Sequence, residues 1–142
     1  MSVSAIIARG ANETVVCQLS DSVRQAAKLL ADKRIGALPV LDGDSIVGIF
    51  SERDLLYCIA SEGESVLDRA VQTVMTSPPV TIAASADALN ALSLMTRRRI
   101  RHLPVMDGER MVGFVSIGDL VKYRMERIEA EAAQMRDYIT SA

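Results

Sequence analysis

The sequence predicts an α+β fold, α/β-like in its crossovers, of two pseudo-symmetric β-α-β-β-α units packed sheet to sheet. The main observation is an internal repeat, because residues 34–58 and 99–123 align without a gap and share 12 of 25 residues. Each copy holds an Asp-Gly dipeptide between apolar runs and follows a segment with apolar residues at helical spacing. A long segment without Gly or Pro comes after the second copy and predicts a long C-terminal helix.

Each unit is predicted to begin with a short strand and a helix. β-Branched runs at Thr14–Leu19 and Val80–Ala84 favour strands. Apolar residues at helical spacing then predict helices over Val23–Lys33 and Ala88–Arg98. A polar residue in front of each helix is the expected cap, and the candidates are Ser20 or Asp21 for the first helix and Ser85 or Asp87 for the second.

A hairpin is predicted next in each unit. The Asp-Gly dipeptides at 42–43 and 107–108 are the strongest short-range signal for a tight turn between two strands. The helix before each hairpin makes a right-handed crossover, so the first strand is expected to lie parallel to the second. The predicted hairpin strands are Ala37–Leu41, Ser45–Phe50, His102–Met106 and Arg110–Val115.

A further helix closes each unit, from Asp54 to about Ala60 and from Asp119 to about Ile139. Between the units, a short helical stretch is predicted over Leu67–Met75. Because one unit cannot bury the apolar stripe of the last helix, we expect this helix to lie across the sister unit or a second subunit. The stripe consists of Met125, Ile128, Ala132, Met135 and Ile139. The predicted organisation is a first unit at 10–65, a linker at 66–76, a second unit at 77–125 and a helical extension at 126–142.

Composition excludes several function classes. The chain has 142 residues, of which 49% are hydrophobic and 24% charged, as in one soluble globular domain. The net charge of −2 gives no overall attraction to nucleic acid or an anionic membrane. No apolar run reaches about 18 residues, and residues 1–10 lack the features of a signal peptide. We expect a cytoplasmic protein without a membrane partner, in which Cys17 and Cys58 are reduced packing thiols.

The two repeated segments resemble the CBS domain, named for cystathionine β-synthase. They read I-G-A-L-P-V-L-D-G…V-G-I-F-S-E-R-D and I-R-H-L-P-V-M-D-G…V-G-F-V-S-I-G-D, and the resemblance covers about residues 10–125. The chain looks like a free-standing tandem pair, or Bateman module, similar in fold to the regulatory inserts of IMP dehydrogenase and the energy-sensing subunit of AMP-activated kinase. The resemblance implies binding of AMP, ADP, ATP, NAD or S-adenosylmethionine, and favours a homodimer of tandem pairs arranged as a disk.

A Ser-x-x-Asp element ends the hairpin of each unit, at Ser51 and Asp54 and at Ser116 and Asp119. A carboxylate can accept hydrogen bonds from both ribose hydroxyls, and the N-terminus of the following helix favours a phosphate. The same pattern is also an ordinary helix cap. Spacing alone does not separate the two interpretations, whereas the repeat and the resemblance together favour ribose binding.

The basic residues near these elements differ between the units. Arg53 resembles the residue that many CBS sites direct at a phosphate, and Gly118 replaces it in the second unit. There, Arg101 and His102 carry the charge, which predicts unequal ligands or affinities. The alternative for His102 is a half-exposed strand residue without a role, and no His or Cys partner at ligand spacing suggests a metal. The arginine run at 97–99, including Arg99, has three interpretations. A solvated helix end is the default, a contact with nucleotide phosphates comes second, and nucleic-acid binding comes last.

The adenine base requires an apolar slot. In the family, the segments Ile35–Leu38 and Ile100–Leu103 lie alongside the base, and the segments around Glu13–Thr14 and Thr76–Val80 close the same clefts. Pro78 and Pro79 are expected to hold the second of these segments extended. The predicted slot residues are Ile35, Gly36, Ala37, Ile100, Leu103, Thr14 and Val80.

The sequence predicts a ligand sensor rather than an enzyme. It contains no phosphate-binding loop, no dinucleotide fingerprint and no nucleophile with a base at a recognisable spacing. A bound nucleotide would favour one arrangement of the units, which an unknown protein partner would read through exposed helices. The alternatives are an interaction or dimerisation module with vestigial sites and, more weakly, a nucleic-acid-binding regulator that uses the arginines at 97–101.

Overall fold

The first half of the chain forms a three-stranded sheet with two helices. The computed structural model describes residues 1–10 and 14–141. Strand β1 (Cys17–Gln18) pairs parallel with β2 (Ala37–Asp42), which pairs antiparallel with β3 (Ser45–Ser51). Helix α2 (Val23–Lys33) connects β1 to β2, and α3 (Glu52–Glu62) follows β3. The predicted limits of α2 are confirmed.

The second half repeats this topology. Strand β4 (Ile82–Ala83) pairs parallel with β5 (His102–Asp107), and β5 pairs antiparallel with β6 (Arg110–Ser116). Helix α4 (Ala88–Arg98) provides the crossover, and α5 (Ile117–Ser141) extends the chain. The first strand of each half has only two residues, shorter than predicted, because the chain turns towards the next helix directly after it. The limits proposed above for the two units stay a prediction.

The caps differ from the expected ones. The predicted Ser20 or Asp21 cap of α2 was wrong, because Ser22 is the N-cap. The Ser22 Oγ accepts a hydrogen bond from the Gln25 N–H at 3.0 Å, and the Gln25 Oε1 accepts one from the Ser22 N–H at 2.8 Å. Asp87 is at the N-cap of α4, as one of the two expected residues, but its side chain makes no capping hydrogen bond.

Helix α1 (Val3–Gly10) was not predicted, and it packs against the other half of the molecule. Val3 and Ile6 are buried in the core of the second half with α4, β5 and β6. The backbone N–H groups of Val3 and Ser4 donate to the carbonyls of Ala86 and Ala84 at 2.8 and 3.0 Å. The N-terminal segment therefore completes the second half rather than the first.

The linker likewise completes the first half. The helical stretch predicted at 67–75 is wrong in type, because the chain forms 3₁₀ turns at Glu64–Asp68 and Val71–Thr73. Where the two turns meet, the Val71 N–H donates to the Asp21 carbonyl at 2.8 Å, and the Arg69 carbonyl accepts from the Val23 N–H at 2.8 Å. These bonds to the start of α2 replace the ones that a continuous helix would make.

Helix α5 leaves the body of the chain after its first turns. Leu120 is its only buried residue, and Tyr123 packs against the same core. The apolar stripe is exposed, so the sister unit does not cover it. No helix in the described part of the chain has both the length and the apolarity required to cross a membrane.

Candidate functional site

A cleft of about 390 Å³ lies between the two halves. Its walls come from the segment before β1, the loop between α2 and β2, the strands β5 and β6, and the first turn of α5. Both halves therefore contribute to one site. The lining residues are Thr14, Val15, Arg34, Ile35, Gly36, Ala37, His102, Phe114, Ser116 and Asp119.

The cleft combines predicted residues that the sequence assigned to different units. Thr14, Ile35 and Gly36, predicted to hold a base, face the predicted ribose residues Ser116 and Asp119. Ser116 ends β6 and Asp119 lies in the first turn of α5, so the strand-to-helix junction directs both towards the cleft. Such a volume is in the range of small-ligand sites.

The Asp119 carboxylate is only partly engaged. Its Oδ2 accepts a hydrogen bond from the Ser116 N–H at 2.9 Å, and the Asp119 N–H donates to the Ser116 Oγ at 3.1 Å. This is the capping geometry that the sequence also allowed. Within the described residues the second oxygen, Oδ1, makes no hydrogen bond, so capping leaves it available for a ligand. The two interpretations of this element are compatible.

Asp54, the counterpart of Asp119 in the first half, has both carboxylate oxygens occupied. The Ser51 N–H and Oγ donate to Asp54 Oδ2 at 2.9 and 3.0 Å. The Thr76 hydroxyl, which comes from the linker, donates to Asp54 Oδ1 at 3.0 Å. The residue 65 positions before Thr76 is Ala11, which has no hydroxyl and lies outside the described residues. A ribose would have to displace Thr76 from Asp54, whereas the described residues offer Asp119 Oδ1 no such competitor.

An aromatic pair forms one wall of the cleft. The rings of His102 and Phe114 stack with centroids 5.5 Å apart and planes inclined by 15°. Burial lowers the pKa of His102, an effect that Asp119 and Glu52 oppose and Arg101 reinforces. The imidazole is therefore largely neutral at pH 7, and the phosphate role predicted for its charge is weakened. Phe114 was not among the predicted residues. The feature of the sequence that could have identified it is an aromatic residue between Gly113 and Val115.

Acid is expected to destabilise the fold through His102. Because its pKa is lower in the folded chain than its ordinary value of 6.5, the unfolded chain binds more protons between these two values. The free energy of unfolding should hence be highest above pH 6.5 and fall as the pH drops below it. Urea unfolding between about pH 7.5 and 5.5 measures this slope, and His102→Gln should flatten it. An equal slope in both proteins would contradict the prediction, since the chain has a single histidine.

The remaining predicted residues, apart from Ala37, lie outside the cleft. Leu103 is fully buried in the core of the second half and does not line this cleft, so its assignment to a base slot stays a prediction. Ile100 and Val80 are partly buried against the same core. Arg53, Arg99 and Arg101 are exposed, and none of them lines the cleft. Ala37 lines it with a side chain that is only 3% exposed.

Two further findings concern metals and thiols. In the part of the chain that the structure describes, no group of three or more His, Cys, Asp or Glu residues could hold a metal ion.

Cys17 and Cys58 are free thiols. Burial, with a smaller effect of Asp21, raises the pKa of Cys17 to about 12. Cys17 is therefore a protonated packing residue in the first core.

Comparisons with known proteins identify similar chains. The sequence pattern of the CBS domain matches residues 4–61 and 71–126. The mitochondrial CBS domain-containing protein CBSX3 of Arabidopsis thaliana is 34% identical over 128 residues, which are 87% of this chain and 62% of that protein. This chain thus spans less than two thirds of that relative.

Solved structures agree with the fold. The CBS-domain containing protein ATU1752 from Agrobacterium tumefaciens has a TM-score of 0.83 and 34% identity, covering 87% of this chain and 99% of that chain. The CBS domain protein PAE2072 from Pyrobaculum aerophilum, solved in complex with AMP, has a TM-score of 0.74 and 27% identity, covering 84% and 89%.

Proposed function

Because this chain belongs to the CBS domain family as a tandem pair, we propose that it is a non-catalytic, cytoplasmic regulatory module that binds an adenosyl nucleotide. The single observation that carries the proposal is the cleft, which brings residues predicted to hold the base, from the first half, together with Asp119 of the second. The AMP complex of the Pyrobaculum aerophilum protein supports the ligand class. AMP, ADP, ATP and NAD are the candidates, with S-adenosylmethionine next.

The cleft residues offer a group for each part of such a ligand. Asp119 Oδ1 would accept hydrogen bonds from the ribose hydroxyls. The adenine would lie between Ile35 and the stacked rings of His102 and Phe114, where an aromatic face adds to apolar burial. The N-terminal end of α5 would favour a nearby negative charge. Each contact uses a residue that already lines the cleft.

The proposed mechanism is a shift between arrangements of the two halves. A ligand in the cleft touches both halves, so it stabilises the arrangement in which their walls have the correct separation. The shift is limited by the ligand's differential affinity for the two arrangements, and a partner that prefers one of them would read it. Because Thr76 occupies Asp54, we propose that the Asp119 cleft fills before the site at Asp54.

A panel of ligands tests this proposal. Thermal shifts should be measured with AMP, ADP, ATP, NAD, NADH and S-adenosylmethionine, after mass spectrometry has excluded a co-purified nucleotide. A ligand present at about 100 times its Kd adds about 2.7 kcal/mol, enough for a rise of several degrees. No rise with any of them would favour the second candidate, an interaction module with vestigial sites, which the exposed stripe of α5 supports.

We also propose that the stripe of α5 is covered by a second copy of the chain. Met125, Ile128, Met135 and Ile139 are 56%, 48%, 61% and 65% exposed, so a single chain leaves the whole stripe in water. Burying such side chains contributes about 1.5–3 kcal/mol each. The stripe follows α5 along one face, as helix pairing requires.

Loss of the stripe is expected to weaken self-association. Truncation after Tyr123 or the substitution Ile128→Glu should convert a dimer to a monomer by light scattering, because both remove the apolar contact while Leu120 and Tyr123 stay in the core. The matched control is Ala130→Glu, which puts the same charge on the exposed opposite face of the helix. An unchanged mass after truncation would exclude this surface as the dimer contact.

A further inference from the structure

Arg34 has an unusual backbone conformation for an arginine. Arg34 and its repeat counterpart Arg99 are the two non-glycine residues with positive φ in the described part of the chain, at 53° and 54°. Each ends a helix, α2 or α4, in the left-handed conformation. Glycine is the usual residue there, because an L-residue with a Cβ pays a steric cost of about 1–2 kcal/mol. The C-terminal end of a helix favours a cation, which accounts for both arginines, so what distinguishes Arg34 from Arg99 is its place beside the cleft.

Arg34 lines the cleft, and no described residue is a partner of its guanidinium. Among the described residues that line the cleft, Arg34 is the one with a permanent positive charge, since burial lowers the pKa of His102. Within the described residues, its guanidinium makes no ion pair and no hydrogen bond, and Arg34 is exposed. The predicted phosphate residues Arg53, Arg99 and Arg101 do not line this cleft.

A guanidinium suits one class of ligand group. Its planar donors bind phosphate oxygens in pairs, and its charge does not depend on pH in the physiological range. Asp119 and Ser116 belong to the second half, whereas Arg34 belongs to the loop between α2 and β2 in the first. A ligand with a hydroxylated end and an anionic end can therefore be held by both halves at once.

We infer that Arg34 binds the phosphate of the ligand in the Asp119 cleft, so that the site selects anionic adenine nucleotides. The inference rests on the proposed function, because it assumes that the ribose lies at Asp119. The cationic S-adenosylmethionine and the uncharged adenosine would lose this contact, and would bind the cleft more weakly than AMP. The phosphate contact also joins the halves, so adenosine should shift their arrangement less than AMP does.

The test uses glycine at each of the two left-handed positions. Calorimetry measures the affinities for AMP and adenosine in Arg34→Gly, in Arg99→Gly and in the chain without either substitution. All three proteins also carry Asp54→Ala, so that the measured binding comes from the Asp119 cleft alone. Arg34→Gly should weaken AMP about 10- to 100-fold, the loss of one charge-assisted contact, and leave adenosine unchanged. Arg99→Gly should leave both affinities unchanged. Both glycine variants should keep or raise the Tm, because glycine relieves the left-handed backbone.

Two further variants separate charge from backbone effects. Arg34→Lys keeps the charge and should retain part of the AMP affinity, and Arg34→Asn, which tolerates the left-handed region, should behave like glycine. Equal AMP affinity in Arg34→Gly and the unchanged chain, with binding still lost in Asp119→Ala, would overturn the role of Arg34 and leave the proposed function standing. Binding of neither AMP nor adenosine to the unchanged chain would overturn both.

Discussion

Replacement of Asp119 by alanine is expected to lower the affinity of the cleft for AMP by about 10- to 100-fold, the worth of one or two hydrogen bonds to a charged acceptor. The free Oδ1 of Asp119 is the one carboxylate oxygen of the two Ser-x-x-Asp elements without a hydrogen bond in the described residues. Calorimetry on the purified chain measures the loss directly.

The matched control for this substitution is Asp54→Ala. It removes the same carboxylate from the repeat-equivalent position, where Thr76 and Ser51 already occupy both oxygens. We expect the first and tighter binding event to survive in Asp54→Ala and to disappear in Asp119→Ala. Equal losses in both variants would mean that Thr76 does not distinguish the two sites. Unchanged affinity in Asp119→Ala would remove the ribose role.

Asp119→Ala also breaks the cap of α5, so its effect on stability requires a second variant. In Asp119→Asn the side-chain oxygen can still accept from the Ser116 N–H, while the charge is lost. A large affinity loss in Asp119→Asn with an unchanged Tm assigns the effect to the ligand contact and not to the helix end.

The sequence was sufficient to predict the helices α2 and α4 and both hairpins, because each of them depends on residues that are close together in the chain. The periodicity of Val23–Lys33 and Ala88–Arg98 gave both helix limits, because each helix has one buried stripe and ends at a left-handed arginine. The Asp-Gly turns gave both hairpins, since Gly43 and Gly108 have φ values of 62° and 63°. The repeat then gave two sheets of identical topology.

The remaining features depend on contacts between distant segments. Helix α1 is only eight residues long, and Val3 and Ile6 are buried by residues of the second half, which are distant in sequence. The cleft is lined by residues of both halves. Aligning the repeat could show that Ser116 and Asp119 form a pair, but not that Arg34 lines the same cleft. The contact of Thr76 with Asp54 is similar, because 22 residues separate them in sequence.

The glycine at position 48 shows how such a distant contact can be tested. A Cβ at Gly48 would lie 2.6 Å from Met75 Sδ and 2.9 Å from the Thr76 carbonyl oxygen. That carbonyl accepts a hydrogen bond from the Ile49 N–H at 2.9 Å, and the Thr76 N–H donates back to Ile49 at 2.9 Å. The linker is thereby held against β3 by backbone bonds, and it cannot retreat from a new methyl group without breaking them.

Gly48→Ala is therefore expected to lower the free energy of unfolding by about 2–3 kcal/mol, the upper range for overpacking, and Tm by roughly 5–10 °C. Urea unfolding provides the measurement. At the repeat-equivalent Gly113, the three atoms nearest to a Cβ all belong to the Ile7 side chain, at 2.8 to 3.1 Å, and none of them is a backbone atom held by hydrogen bonds. Gly113→Ala is thus the matched control and should cost less.

A double substitution distinguishes the two atoms that oppose the new methyl group. If the Met75 side chain alone caused the loss, Gly48→Ala with Met75→Ala would recover the part due to overpacking. Because the Thr76 carbonyl remains at 2.9 Å, we expect incomplete recovery. We also expect a tighter second nucleotide-binding event, since a displaced linker withdraws the Thr76 hydroxyl from Asp54. A Gly48→Ala protein as stable as the unchanged chain would show that the linker does not pair with β3. The hydrogen bond from Thr76 to Asp54 would then lose its structural basis.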